Sequence, residues 1–237
     1  MIRIASFNIH GGRGRRLAPL TSTMVSMEMD VWCLQECSEQ LVPWFVNALG
    51  EEWRGEHAPA DYLGNAVLTR APVTNTQPLV LESIAAEQRS AMIVTIEVRG
   101  QAIPIACVHL DHTSEETRLE QWATLIEQAE SLRGGVVCGD LNALTRSDYS
   151  DRAWEEIAQV RHRSVWEPPQ TRLMDIIEAQ GFFDTAFSDA VRETCRFDTR
   201  VDYILIGPGC PVNVEEFEIV DGRHISDHNI VTTTLAM

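Results

Sequence analysis

Asp140 and Asn142 stand two residues apart in the stretch GGVVCGDLNALT, Gly134 to Thr145. Val136, Val137 and Cys138 form a short apolar run after a glycine pair, the pattern of a buried strand, and Gly139 lets the backbone turn where the polar residues begin. Residues two apart in an extended segment face the same way, so a carboxylate and a carboxamide are presented together at the strand's carboxyl end. Such a pair suits metal or water chemistry. The same residue types also make an Asx turn with an N-cap, so complementary parts elsewhere in the chain must decide between the two.

Those parts recur at the ends of apolar runs. SFNIHGGRGRR places Asn8 at a strand end, followed by His10, a glycine-rich turn and Arg13, Arg15 and Arg16. Glycines bring backbone N–H groups close to an anion and arginines clasp it, which makes this turn a phosphate-site candidate, although a solvated turn has the same composition. DVWCLQE sets Glu36 directly after Trp32, Cys33 and Leu34, where an oxygen ligand for a hard cation would sit at the rim of a sheet. In CVHLDH, His109 closes an apolar strand, with Asp111 and His112 behind it; it either donates to a phosphoryl oxygen or is satisfied by backbone. The helix that follows starts with Ser114 as its N-cap and Thr117 at the third position, and puts Arg118 and Gln121 on one face. RVDYILI buries Asp202 between Val201 and Tyr203, where a carboxylate needs a partner. HISDHNIV supplies one: Asp202 to His228 would be a carboxylate orienting an imidazole, with Asp227 left to face a metal.

The elements that must position these groups can be read from periodicity. Strands are expected at Ile2 to Asn8, Val31 to Gln35, Asn65 to Thr69, Ser90 to Val98, Ile103 to Leu110, Val136 to Gly139, Val201 to Ile206, Val214 to Val220 and Ile230 to Leu235. Helices are expected at Leu17 to Met29, Glu39 to Leu49, Glu115 to Leu132, Asp151 to Val160 and Thr171 to Gln180. Neighbouring strand pairs with helices between others suit antiparallel sheets packed face to face, with helices outside. Arg161 to Thr171 reads as a loop broken by Pro168 and Pro169, with Trp166 as a lid contact or, the blander role, an anchor beneath it.

Composition narrows the chemistry. A chain of 237 residues with 44% hydrophobic residues is expected to form one domain over residues 1–237. The formal charge of -16 repels polyanions, so a phosphate substrate must be gripped locally by a metal or by arginines. All 19 basic residues are arginine, which excludes Schiff-base chemistry and a P-loop lysine. The six cysteines, Cys33, Cys37, Cys107, Cys138, Cys195 and Cys210, contain no CxxC pair and read as free thiols of a reducing compartment. The chain opens directly on a strand and has no apolar run of bilayer length, so a soluble, cytoplasmic protein without a membrane span is expected, and no obligate protein partner is visible.

Asn8, the LQE ending in Glu36, GNAVLTR from Gly64, HLDH with His109, GDLN with Asp140 and Asn142, RVDYI with Asp202 and SDH ending in His228 together resemble the endonuclease/exonuclease/phosphatase superfamily, the DNase I-like fold, from residue 5 to about 235. The resemblance implies an α/β fold, a four-layer α/β/β/α sandwich of two packed, mostly antiparallel sheets flanked by helices. It also implies metal-dependent cleavage of a phosphate ester, with Glu36 as principal magnesium ligand, Asp227 assisting the metal and manganese as an alternative ion. Carried over by position, Asn8 and Asn142 hold the scissile phosphate or the attacking water, Asp140 orients or deprotonates that water, Asp202 pairs with His228, and His109 stabilises the pentacovalent phosphorane. Whether Asp140 or His228 is the general base stays open. At His10, the abasic-site and tyrosyl-DNA enzymes of this superfamily carry Asp, so the match to those branches is weaker. The expected activity is a Mg2+-dependent phosphodiester hydrolase, a nuclease or DNA-end-processing enzyme acting on nucleic-acid ends or single strands, with Arg13, Arg15 and Arg16 gripping the substrate. A lipid or small-molecule phosphodiesterase or phosphatase fits the charge better, and a non-catalytic binding module on the same fold would have lost at least one of these positions.

Overall fold

Strands that are apolar at every position need cover on both faces, and the structure supplies it. In the computed structural model, which describes residues 1–12, 16–61, 63–82, 87–186 and 193–237, the strands form two sheets of six. The first sheet has the order β11 (Asn213–Val220), β12 (Ile230–Ala236), β1 (Ile2–Asn8), β2 (Val31–Cys37), β4 (Gly64–Thr69), β3 (Arg54–Ala58). The second has the order β5 (Val73–Leu81), β6 (Arg89–Val98), β7 (Gln101–His109), β8 (Val136–Asp140), β10 (Asp202–Ile206), β9 (Phe183–Asp184). Each is antiparallel except for one parallel pair, β1 with β2 and β7 with β8.

The period of two along each strand divides its side chains between two cores. Ile2, Ile4, Val31 and Cys33 from one sheet meet Ile105, Cys107, Val136, Cys138 and Ile204 from the other in the layer between the sheets. Ala5, Phe7, Trp32 and Leu34 point outward, onto Leu20 and Met24 of α1 (Leu17–Ser26) and Phe45 of α2 (Val42–Leu49). On the far side Val108, Val137 and Leu205 pack against Trp122 and Leu125 of α3 (Glu115–Gln128) and Leu173 and Ile177 of α5 (Arg172–Ala179). The result is the expected helix, sheet, sheet, helix sandwich, in which each fully buried aliphatic side chain stabilises the fold by about 1.5–3 kcal/mol. A fourth, small cluster joins Leu144, Cys195 and Val201 to Tyr149, Trp154 and Ile157, the last two from α4 (Asp151–Arg163). Among the described residues no helix is long and apolar enough to cross a membrane. All six cysteines are free thiols, five of them buried.

Several elements differ from the sequence reading. β3, β5 and β9 were not expected; all three are sheet edges, and their exposed polar positions, with Pro78 inside β5, hide the strand pattern. α1 stops at Ser26 rather than Met29, and α3 at Gln128 rather than Leu132, with a 3-10 turn over Glu130–Gly134. A 3-10 turn, Glu39–Leu41, precedes α2 where one continuous helix was expected. α4 runs on to Arg163, into the supposed loop, because Arg161, His162 and Arg163 suit the negative end of its dipole. Trp166 is not an anchor under that loop but is 45% exposed.

Gly139 also has a different role from the expected turn. It lies inside β8, in register with Val108 and Tyr203. Its φ is +155°, and a Cβ built there would lie 1.9 Å from the Val108 carbonyl oxygen. The glycine therefore permits a close backbone approach immediately before Asp140. Gly139→Ala is expected to destabilise the protein by about 1–3 kcal/mol, because backbone rather than a mobile side chain must yield; denaturant unfolding with an unchanged midpoint would contradict this.

Candidate active site

The parallel pairs β1–β2 and β7–β8 end, and the antiparallel β10 and β12 begin, at the same edge of the sandwich. Register then sets the neighbours: Asp140 pairs across β8 with His109 on one side and Asp202 on the other. Asn8 pairs with Gln35, next to Glu36. At this edge a carboxamide bridges the two sheets. Asn8 Nδ2 donates to Glu36 Oε1 at 3.2 Å and to Asp140 Oδ2 at 3.1 Å, while Asn8 Oδ1 accepts from the His10 backbone N–H at 3.1 Å.

Around Asp140 the groups are arranged to hold protons. His228 Nδ1 lies 2.8 Å from Asp202 Oδ2, and its Nε2 lies 3.8 Å from Asp140 Oδ2. Burial alone would push His228 down, but the charge and hydrogen bond of Asp202, then the charge of Asp140, outweigh it and hold the imidazole well above its ordinary range. Burial, and then the neighbouring Asp202 carboxylate, push Asp140 up to about 7. His109, whose Nε2 is 3.6 Å from Asp140 Oδ2, is driven the other way by burial and by the Arg89 guanidinium, 3.5 Å from its Nδ1. It is thus a neutral imidazole, and an Nδ1 facing a cation leaves Nε2 carrying the proton.

Ligand atoms of Asp140, Asp202 and His228 come within 4.8 Å of one another, close enough for a cation. With His228 Nδ1 held by Asp202 at 2.8 Å, the same trio is also arranged for proton transfer. The second cluster is different. His10 Nδ1 is 3.6 Å from Glu36 Oε2 and 3.4 Å from Asp227 Oδ1. Asp227 Oδ1 is buried without a hydrogen-bond partner among the described residues. An orphaned carboxylate oxygen and a second carboxylate, both within 3.6 Å of one imidazole nitrogen, are donors of the kind a divalent cation takes. Asp227 Oδ2, by contrast, pairs with Arg196 at 3.2 Å.

Backbone conformation marks the same residues. His10, Glu36 and Asn142 have φ of 48°, 51° and 50°. Such values are uncommon outside glycine and cluster at functional sites, at a cost of about 1–3 kcal/mol each. At Glu36 the cause is visible: the pairing of β2 with β4 slips between Leu34 and Cys37, and the bulge turns the carboxylate out of the strand alternation. Asn142 is likewise not extended, contrary to the sequence reading; its backbone N–H donates to Asp140 Oδ1 at 3.0 Å, an Asx turn, and its Nδ2 donates to the Leu110 carbonyl at 3.1 Å. The Asx turn and the presentation of both groups at the edge are therefore one arrangement.

Of the remaining sequence candidates, Arg13 and Arg15 lie outside the described residues, and Arg16 is exposed at the start of α1. Arg89 was missed. It starts β6, is 9% exposed and donates to His112 Nδ1 at 2.9 Å while facing His109. Its signal was the one used for Asp202, a charge at the start of an apolar strand. The pairing of Asp202 with His228 was legible.

A two-sheet sandwich with catalytic-type side chains on one edge is the DNase I-like fold, and solved structures share it over their whole length. Among these are a mannosyl-6-phosphatase from Bacteroides thetaiotaomicron (14% identity, TM-score 0.73, all of both chains) and an endonuclease/exonuclease/phosphatase family protein from Leptotrichia buccalis (17%, TM-score 0.73, all of both chains). A 3′ phosphatase from Neisseria bound to a product DNA hairpin is equally similar (14%, TM-score 0.73, all of both chains). None of the curated proteins compared matches the sequence. The chain belongs to the Endonuclease/Exonuclease/phosphatase family, which it matches over residues 5–228. Membership supports a phosphoester hydrolase as its class of activity.

The raised Asp140 sets the sign of a pH effect. A folded-state value near 7, against about 3.9 for a free aspartate, means the folded protein holds that proton more tightly. Its stabilising contribution is complete below about pH 4 and is lost as pH rises to 7. In metal-free protein, unfolding free energy should fall across that window relative to Asp140→Asn; parallel pH profiles for the two proteins would refute the assignment.

Proposed function

We propose that this chain is a magnesium- or manganese-dependent phosphodiester hydrolase whose residues 1–237 act as one catalytic domain, in the reducing, cytoplasmic setting that its free thiols favour. The observation that carries the reading is the orphaned Asp227 Oδ1 beside His10, which also meets Glu36, with Glu36 linked in turn through Asn8 to Asp140 of the proton-holding pair Asp140 and His228. Glu36 and Asp227 would hold the cation, with His10 beside them. When bound there, it neutralises charge on the phosphoryl oxygens.

The chain's own groups supply the rest. A carboxyl near 7 gains or loses a proton at neutral pH, so Asp140 Oδ2 takes the proton of an attacking water that His228 Nε2 helps to orient. Asp202 fixes the imidazole's orientation through Nδ1 and keeps it protonated, which lets His228 return a proton afterwards. The neutral His109 donates from Nε2 to a phosphoryl oxygen, and Arg89 holds that tautomer from behind. Asn8 keeps the two carboxylates at a fixed separation, and Asn142 steadies the phosphate or water from the neighbouring turn. Arg13, Arg15 and Arg16 remain candidates to grip the ester.

Nucleic-acid ends or single strands are the first substrate class to test, in keeping with the DNA-bound Neisseria neighbour. Small or lipid phosphoesters are the second reading, favoured by the charge of -16. The experiment is release of product from bis(p-nitrophenyl) phosphate and from a labelled DNA strand, with magnesium, manganese or EDTA. Turnover should require the ion, and Glu36→Ala and His228→Ala should each lower it by about 100- to 10,000-fold with the fold retained. Near-normal turnover in either variant, or in EDTA, would remove the site assignment.

A further inference from the structure

Beyond His228 the active-site edge opens into a cleft of about 710 Å³. Asn142, Asp227 and His228 form one side. The opposite side is built by α4 and by two short segments carrying Trp166 and Phe197, whose rings meet edge to face with centroids 4.9 Å apart. These rings are 45% and 43% exposed, so they are not core. The Arg196 guanidinium lies 4.7 Å from the centre of the Phe197 ring and reaches Asp227 Oδ2 at 3.2 Å, linking the aromatic wall to the cation cluster. Arg161, on the same wall, has no carboxylate in ion-pair contact among the described residues and donates to the Glu167 carbonyl at 3.4 Å.

Both rings are presented from strained backbone. α4 ends in a Schellman closure, with Trp166 N–H on the Arg161 carbonyl at 2.9 Å and Val165 N–H on the His162 carbonyl at 3.2 Å. The left-handed residue of such a closure is usually glycine; here it is Val165, with φ of 58°. Asp198, directly after Phe197, has φ of 57°. A β-branched residue in that region is a genuine outlier, retained where the helix closure delivers Trp166 to the cleft wall. Glu167, the next residue, is fastened from below by the buried Arg118.

We propose that this cleft seats a single planar ring carried on the substrate's ester group, a nucleobase or a ring of that size, and that the chain acts on small nucleotide-like phosphoesters. The inference rests on the phosphoester-hydrolase reading and supplies its substrate class. The cleft falls in the size range of small-molecule sites, about 300–1,000 Å³. Bases stack on aromatic side chains without sequence readout, and an arginine over such a ring adds to the platform. A charge of -16 penalises an extended polyanion far more than one nucleotide held by Arg196 and Arg161.

The test compares adenosine 5′-monophosphate and its methyl diester with glycerol 3-phosphate and its methyl diester, which present primary alkoxides of similar reactivity, using manganese-loaded protein. Wild type should prefer the adenosine ester of each pair. Trp166→Ala and Phe197→Ala should each lower that preference about tenfold, through KM rather than kcat, and Trp166→Phe should restore most of it. Equal kcat/KM for adenosine and glycerol esters, or equal losses on both in the alanine variants, would overturn the proposal while leaving the hydrolase reading intact. A tenfold or greater preference for a single-stranded oligonucleotide over the methyl diester would overturn the small-substrate assignment. If no ester is cleaved, the hydrolase reading fails; calorimetric binding of adenosine 5′-monophosphate that is lost in Trp166→Ala would still support the ring site, and no binding would overturn it too.

Discussion

The Asn8 carboxamide is the constraint on which the site depends. Its two hydrogen bonds run to Glu36 within its own sheet and to Asp140 across the sandwich, 132 residues away in sequence. Two buried or half-buried carboxylates would otherwise repel each other through a medium that screens them poorly. A neutral double donor lets both approach one small volume without a counter-charge, so that volume is left for a cation and a phosphate. The cores behind it serve the same end. The inter-sheet layer fixes the spacing of β1 from β8, and that spacing sets whether one side chain can span the gap.

Electrostatics then differentiates three histidines that composition treats alike. His228 sits between two carboxylates and is held protonated. His109 is equally enclosed but backs onto a guanidinium and is held neutral. His10 is half exposed between Glu36 and Asp227. Charged neighbours, more than depth of burial, separate the first two, and an acid–base site needs such unlike groups within a few ångströms.

Much of this was legible before the structure. Runs such as VWCLQE and VVCGD declared strands covered on both faces, and the charged residue closing each run pointed to the edge where strands end. What failed had physical reasons. β3, β5 and β9 lie at sheet edges, where one flank faces water and the apolar signal is diluted. Glu36 was placed correctly at the rim, yet the bulge that aims it depends on its pairing with β4, a contact no local pattern encodes. Arg89 escaped although it carries the same signal as Asp202, because only the pairing of β6 with β7 brings it to His109 and His112. Of the two roles open to Trp166 in the sequence, anchor and lid contact, the anchor is the blander; the ring instead stands half exposed on the cleft wall, after the left-handed Val165.

The small cluster of Leu144, Cys195 and Val201 with Tyr149, Trp154 and Ile157 stands apart from the three larger cores. It carries the cleft's aromatic wall, while the hydrogen-bonded edge rests on the sheets. The two are nevertheless stitched together: Cys195 of the cluster forms a β-bridge with His228, the Arg196 N–H donates to the Asp227 carbonyl, and Thr194 Oγ1 accepts from the Asp202 N–H. A lineage that repacks α4 and its satellite core to change what it recognises therefore also moves the groups that react, so recognition and reactivity evolve as one.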